Sequence, residues 1–202
     1  MIPVLAVDDP VAACQLLAAQ FGFVQAGPGL VGFGTAQIAV VAGTALPGAM
    51  IPLRLDHVAF AVPDADQAHR SFSAAGAGLD PSFTPDGPRD IPQFWDHGVR
   101  FVFFQGPQGA AFEFCAKTAV AGPQAPGHSH FAIRSTDLNQ AEAALTAFRP
   151  TRIARYSLPG TQQPVSVRFL QAGPVVFELF DEPPVVTHTP LSGWVGLLQI
   201  GA

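Results

Sequence analysis

Two stretches of this chain are copies of one pattern, and that repeat constrains the fold more than any other feature. LDHVAFAVPDADQAHRSFSAAG (55–76) and HSHFAIRSTDLNQAEAALTAFR (128–149) superimpose at a constant offset of 73 residues. The offset sets His57 on His130, Asp64 on Asp137 and Gln67 on Gln140. It also sets the apolar residues Ala65, Ala68, Phe72 and Ala75 on Leu138, Ala141, Leu145 and Phe148, with steps of 3, 4 and 3 in both copies. Those steps describe one stripe of an amphipathic helix, and Asp followed three residues later by Gln reads as a capping box at its start. Each copy therefore predicts a strand followed by a capped helix.

Behind each helix comes a stretch containing Pro and Gly, then two apolar runs joined by a turn. The runs are VRFVFFQ (99–105) and AAFEFCA (110–116) in one copy, and VSVRFLQ (165–171) and VVFELF (175–180) in the other. Both pairs read as hairpins. A degenerate copy precedes them: LAVDD (5–9) matches FAVPD (60–64), Pro10 suits the first helical position, and shorter strands follow near 21–26, 29–33 and 36–42. The expected fold class is α+β, built from repeated βαβββ modules. The expected organisation is a degenerate module over 1–48, paired modules over 54–117 and 126–182, and a tail over 183–202. LSGWVGLLQIGA in that tail reads as one further strand.

Composition narrows the function classes. Hydrophobic residues make up 49% of the 202, enough for a real core, while charged residues are only 12%, against about 25% in an average soluble domain. Mean hydropathy is +0.30, yet Gly, Pro and polar residues interrupt every stretch before the roughly 18 apolar residues that a membrane span needs. No membrane partner is expected. Twenty Gly and twenty Pro, spread along the chain, suit many short elements joined by tight turns. A net charge of −5 with scattered Arg argues against nucleic acid. MIPVLAVDDP lacks a basic, signal-like start, so a cytoplasmic location is the expectation. Cys14 and Cys115 sit in apolar sequence and read as core thiols.

The chemistry concentrates in four residues. Only four Glu occur, and two of them lie inside the most apolar strands, as Phe112-Glu113-Phe114 and Phe177-Glu178-Leu179. Alternation along a strand puts Phe112 and Phe114 against the helix, and Glu113 with Cys115 on the other face. The same alternation puts His57, Ala59 and Ala61 opposite Val58 and Phe60, and His130, Ala132 and Arg134 opposite Phe131 and Ile133. Taken singly, each residue has an ordinary account as a strand-end histidine or a solvated glutamate. Two His and two Glu at matching module positions, with small residues beside them, point together to a divalent-metal site. His128, two residues before His130, competes with it as ligand or supports it; the 73-residue offset favours His130.

These modules, and the order His57, Glu113, His130, Glu178, resemble the vicinal oxygen chelate superfamily, the group of glyoxalase I, methylmalonyl-CoA epimerase, extradiol dioxygenases and bleomycin resistance proteins. The resemblance implies curved sheets around a cavity and one divalent ion, Ni, Zn, Mn or Fe, held by His57, Glu113, His130 and Glu178. It implies a lyase or isomerase that removes a proton next to a carbonyl, with Glu178 or Glu113 as base and an enediolate stabilised by the ion. The substrate would be a small molecule with vicinal oxygens and an apolar body. Two alternatives stand: an extradiol-type dioxygenase using ferrous iron, and a metal-free protein that sequesters a small molecule. The first module has Ile2 and about Ala39 where ligands would stand, so no metal is expected there. Modules in that family pair within or between chains, so an unpaired third module leaves room for a homodimer.

Other residues carry lighter expectations. The segment 81–98, with Arg89, Phe94, Trp95 and His97, has the length of a lid. Phe94 and Trp95 are candidate substrate contacts, and Arg134 and Arg100 are candidate anion contacts. Arg168 is an anion contact or a solvated strand residue, and His69 and His188 read as surface or tail residues.

Overall fold

Each of the three predicted helices begins where an aspartate can accept backbone N–H groups. In the computed structural model, Asp9 accepts from Val11 and Ala12 at 2.9 and 3.0 Å, Asp64 from Gln67 at 2.9 Å, and Asp137 from Asn139 and Gln140 at 2.9 and 3.0 Å. Such caps contribute about 1 kcal/mol each. The expected reciprocal bond is absent in the second module, because the Gln67 side chain turns to Ser71 and Arg70 instead. The structure describes residues 1–119, 124–160, 163–181 and 193–199. His188 and most of the 183–202 tail lie outside them.

In chain order the elements are β1 (Ile2–Val7), α1 (Pro10–Phe21), β2 (Val24–Gly27), β3 (Leu30–Phe33), β4 (Ala36–Ala42), β5 (Met50–Pro52), β6 (His57–Ala61), α2 (Ala65–Ala74), β7 (Arg89–Ile91), β8 (Val99–Gln105), β9 (Ala111–Lys117), β10 (Gly127–Arg134), α3 (Leu138–Ala144), β11 (Thr151–Leu158), β12 (Val165–Ala172), β13 (Val175–Phe180) and β14 (Gly193–Leu198). Short 3-10 turns stand at Pro107–Gly109 and Thr146–Phe148. The strands form an eight-stranded sheet in the order β11-β12-β13-β10-β6-β9-β8-β7 and a six-stranded sheet in the order β2-β3-β4-β1-β14-β5. β6 and β10, the opening strands of the two modules, pair antiparallel at the centre, and each pairs in parallel with the last strand of its own module.

The apolar residues divide by face, as alternation predicts. On the helix face, Val58, Phe60, Val102, Phe104, Phe112, Phe114, Phe131 and Phe177 join Leu17 and Phe21 of α1 and the inner residues of β1 and β4 in one buried cluster. Phe21 stacks on Phe112 and Phe114 at 5.7 and 5.6 Å, so α1 is clamped between the six-stranded sheet and the second module. Burying one such side chain stabilises the fold by about 1.5–3 kcal/mol. The other face of the eight-stranded sheet carries a separate cluster of Phe94, Ala132, Val167, Phe169 and Phe180. In the six-stranded sheet, Ile2 and Ala39, at the ligand positions of the degenerate module, meet in an apolar cluster with Val4.

Two expectations change in detail. β14 is a strand, as LSGWVGLLQIGA predicts, and it inserts between β1 and β5; the Trp194 indole N–H also bonds to the Ala111 carbonyl at 2.9 Å. Strict alternation fails in β10, where the register shifts between His128 and His130. The His128 ring lies 5.3 Å from Phe60 and 5.1 Å from Phe131, both residues of the helix face.

Candidate metal centre

The pairing of the central strands brings the four candidate ligands to one place. Ala59 is the register partner of both Glu113 and His130, and Ala132 is the partner of both His57 and Glu178. His57 and Glu113 thus come from the opening and closing strands of one module, His130 and Glu178 from those of the other. The methyl groups of Ala59 and Ala132 leave the space above the sheet to the longer side chains.

Nε2 of His57 lies 3.2 Å from Glu113 Oε2 and 3.5 Å from Glu178 Oε2. Nε2 of His130 lies 3.1 Å from Glu113 Oε2 and 2.9 Å from Glu178 Oε2. One donor atom from each of the four residues falls within 4.8 Å of the others. Both imidazole Nε2 atoms are buried and have no hydrogen-bond partner, because these approaches have ion-pair distances without hydrogen-bond geometry. Metal–ligand bonds of about 2.0–2.2 Å would separate neighbouring donors by about 2.8–3.6 Å. Two neutral imidazoles and two carboxylates suit a first-row divalent ion, and the orphaned nitrogens are the atoms that such an ion would satisfy. The four residues fit a divalent metal.

Without an ion, the electrostatics is that of a paired quartet. Burial alone would push the His57 imidazole down, but Asp56, Glu113 and Glu178 outweigh it and hold the group well above its usual range. His130 is raised against burial to about 9 by Glu113 and Glu178. Burial would raise both glutamates, yet the facing histidines lower them. His128 behaves differently: burial pushes it down to about 4, and its Nε2 bonds to the Gln37 carbonyl at 3.0 Å. The bulge thus separates His128 from the quartet and leaves His130 in it.

The quartet opens into a cavity of about 900 Å³. Phe83, Phe94, Trp95, Phe101, Phe103 and Phe169 are among the aromatics that line it. Phe94 and Trp95 pack on Phe169 at 5.2 and 5.0 Å, and much of the 81–98 segment forms the cavity wall. Trp95 has a positive φ of 57°, and its backbone N–H donates to the Tyr156 hydroxyl at 2.7 Å. Cys115 lines the cavity, its thiol raised by burial and by Glu113. Both cysteines are free.

The arginine expectations need correction. Arg100 shares the helix face with Val102 and Phe104, and pairs with Asp66 and Asp90 at 2.7 Å each. Arg134 is not among the cavity-lining residues. Its Nε donates to Asp56 Oδ2 at 2.8 Å, and its guanidinium lies over the rings of Phe180 and Phe83 at 4.8 and 5.4 Å. Arg168 bonds to Asn139 and Glu142 of α3. Asp56 is the residue that sequence reasoning passed over. Its Oδ1 lies 3.1 Å from Nδ1 of His57, and its place directly before a ligand histidine was the available signal.

No protein-family model matches the chain, and no curated protein matches it in sequence. Solved structures do. Glyoxalase I from Zea mays superimposes with a TM-score of 0.63 at 16% identity, over 96% of this chain and 70% of that one. A variant of the same maize enzyme gives 0.61 at 16% identity, over 91% and 67%. Methylmalonyl-CoA epimerase from Mycobacterium tuberculosis gives 0.47 at 23% identity, over 70% and 95%. What the likeness establishes is architecture: this chain has the glyoxalase I fold.

Proposed function

We propose that the protein is a metal-dependent lyase or isomerase of the glyoxalase type, which takes a proton from the carbon beside a carbonyl and returns it to the neighbouring carbon. The observation that carries this reading is the convergence of His57, Glu113, His130 and Glu178, with both Nε2 atoms lacking a hydrogen-bond partner, on the wall of the cavity. A divalent ion bound there supplies Lewis-acid polarisation of the carbonyl and offsets the charge that develops on its oxygen. His57, His130 and Glu113 fix the geometry of the site. Glu178, whose carboxylate lies 2.9 Å from His130 Nε2 and 3.5 Å from His57 Nε2, serves as the base. Its carboxylate accepts the proton from one carbon and delivers it to the next, while the hydroxyl proton passes to the former carbonyl oxygen, so the step is redox-neutral overall and needs no outside oxidant or reductant. The aromatic walls exclude water and select an apolar substrate body. Arg100, Arg134 and Arg168 are engaged by carboxylates rather than lining the cavity.

The test combines metal analysis of untagged protein with deuterium exchange into aryl-substituted 2-hydroxy ketones, followed by NMR. Metal-dependent exchange at the carbon beside the carbonyl is expected, falling by about 10²–10⁴ in Glu178→Gln. Unimpaired exchange in that variant removes Glu178 as base. Oxygen uptake with catechols in the ferrous form would assign an oxygenase instead, and ligand binding that survives complete chelation would favour sequestration.

A further inference from the structure

Asp56 and Ser129 hold the same place in the two modules, one residue before each histidine ligand, and they offer the imidazoles different support. Oδ1 of Asp56 lies 3.1 Å from His57 Nδ1, and Oδ2 is held by Arg134 Nε at 2.8 Å. The Asp56 backbone N–H donates to the Ala132 carbonyl at 2.8 Å, which ties the residue to the neighbouring strand. The side chain is only 16% exposed. At the matching place, Ser129 Oγ lies 3.3 Å from His130 Nδ1. The 73-residue offset matches Arg134 to Ala61, so the Arg-Asp-His chain belongs to one ligand and has no copy at the other.

A carboxylate that accepts a proton from Nδ1 fixes the tautomer that leaves the Nε2 lone pair free. It also fixes the ring plane and makes the ring a better donor, and a neutral hydroxyl does this more weakly. Arg134 in turn restrains the carboxylate. We infer that Asp56 is a positioning residue that makes His57 the dominant histidine ligand, so that the two imidazoles are unequal donors. The inference rests on the metal reading of the site and names which residue tunes it.

The experiment measures Co²⁺ affinity of the full chain by competition with a chromophoric chelator, together with the visible absorption of the bound ion. Asp56→Asn should weaken binding about tenfold and Asp56→Ala up to about a hundredfold, with a shifted absorption band, while Ser129→Ala changes affinity by less than about threefold. In a His57→Ala background, Asp56→Asn should cause no further loss, because its effect passes through that ring. Asparagine keeps the size of the side chain, so its result decides the matter if the alanine variant does not fold. An equal loss from Ser129→Ala, or an Asp56→Asn loss that persists undiminished without His57, overturns the inference. Co²⁺ binding by the unaltered protein that Asp56→Asn leaves unchanged overturns this inference alone. No binding by the unaltered protein overturns the metal reading as well.

Discussion

Ala59 and Ala132 are counterparts across the centre of the eight-stranded sheet, each fully buried and each flanked by one histidine and one glutamate of the quartet. The two methyl groups define the floor of the site. A larger side chain at either position would occupy the volume in which the four donors meet.

Ala59→Leu is therefore expected to lower metal affinity at least tenfold, with an overpacking cost of about 1–3 kcal/mol. Chelator competition and thermal unfolding of the metal-free variant measure the two effects separately. Normal affinity in a folded variant would show that the space above Ala59 is not the coordination volume.

Metal uptake should release protons. In the metal-free protein His130, raised to about 9, and His57, also raised, carry protons that balance the two carboxylates. A divalent ion displaces protons from the imidazoles near pH 7.5, and its apparent affinity climbs as pH rises towards 9. The sign for stability is opposite. A histidine raised above its ordinary value stabilises the metal-free fold fully below about pH 6.5, and that contribution is lost as pH climbs through the raised value. Calorimetric titration in two buffers of different ionisation enthalpy counts the protons, and a count of zero would mean that the imidazoles are already neutral.

Arg100→Ala should leave substrate binding and turnover unchanged, because the guanidinium faces α2 rather than the cavity. Its side chain and that of Asp66 are 31% and 41% exposed, so solvent screens the pair and the stability loss should stay within about 1 kcal/mol. A large rise in KM would place Arg100 in contact with substrate after all.

Tyr156→Phe removes the acceptor of the Trp95 backbone N–H and should destabilise the wall segment by about 1–2 kcal/mol. Trp194 is the other tryptophan of the chain, so a Trp194→Phe background makes Trp95 the reporter. Red-shifted emission and faster acrylamide quenching are the expected signature, and an unchanged spectrum would mean that the hydroxyl does not hold the segment.

Much of this was legible in the sequence because it repeats. The 73-residue offset carried the aspartate caps and the two histidines, and alternation around Glu113 and Glu178 put the carboxylates on the same face. The observed β8 and β13 coincide with the runs 99–105 and 175–180. What escaped depends on departures from period two or on distant partners. The bulge between His128 and His130 adds a residue that no hydrophobic count reveals. Arg100 was misplaced although the parity was present: Phe103 pairs with Glu113 on the cavity face, so Arg100, three residues before it, faces the other way. The Arg134–Asp56 contact joins residues 78 apart in the chain, and no local pattern announces it.

The pairing of β1 with β14 joins Ile2 to Leu198, so the six-stranded sheet closes across nearly the whole length described. Loop-closure entropy disfavours such distant pairing until the intervening chain has collapsed. The contacts that gather the quartet lie between residues 57 and 180, while the helix face of the same strands is covered by α1 and the six-stranded sheet. Until Gly193–Leu198 docks, β1 presents a row of open N–H and C=O groups to any other strand. The six-stranded sheet thus depends on its last strand: without Gly193–Leu198, β1 is an open edge and β5 loses its neighbour in the sheet.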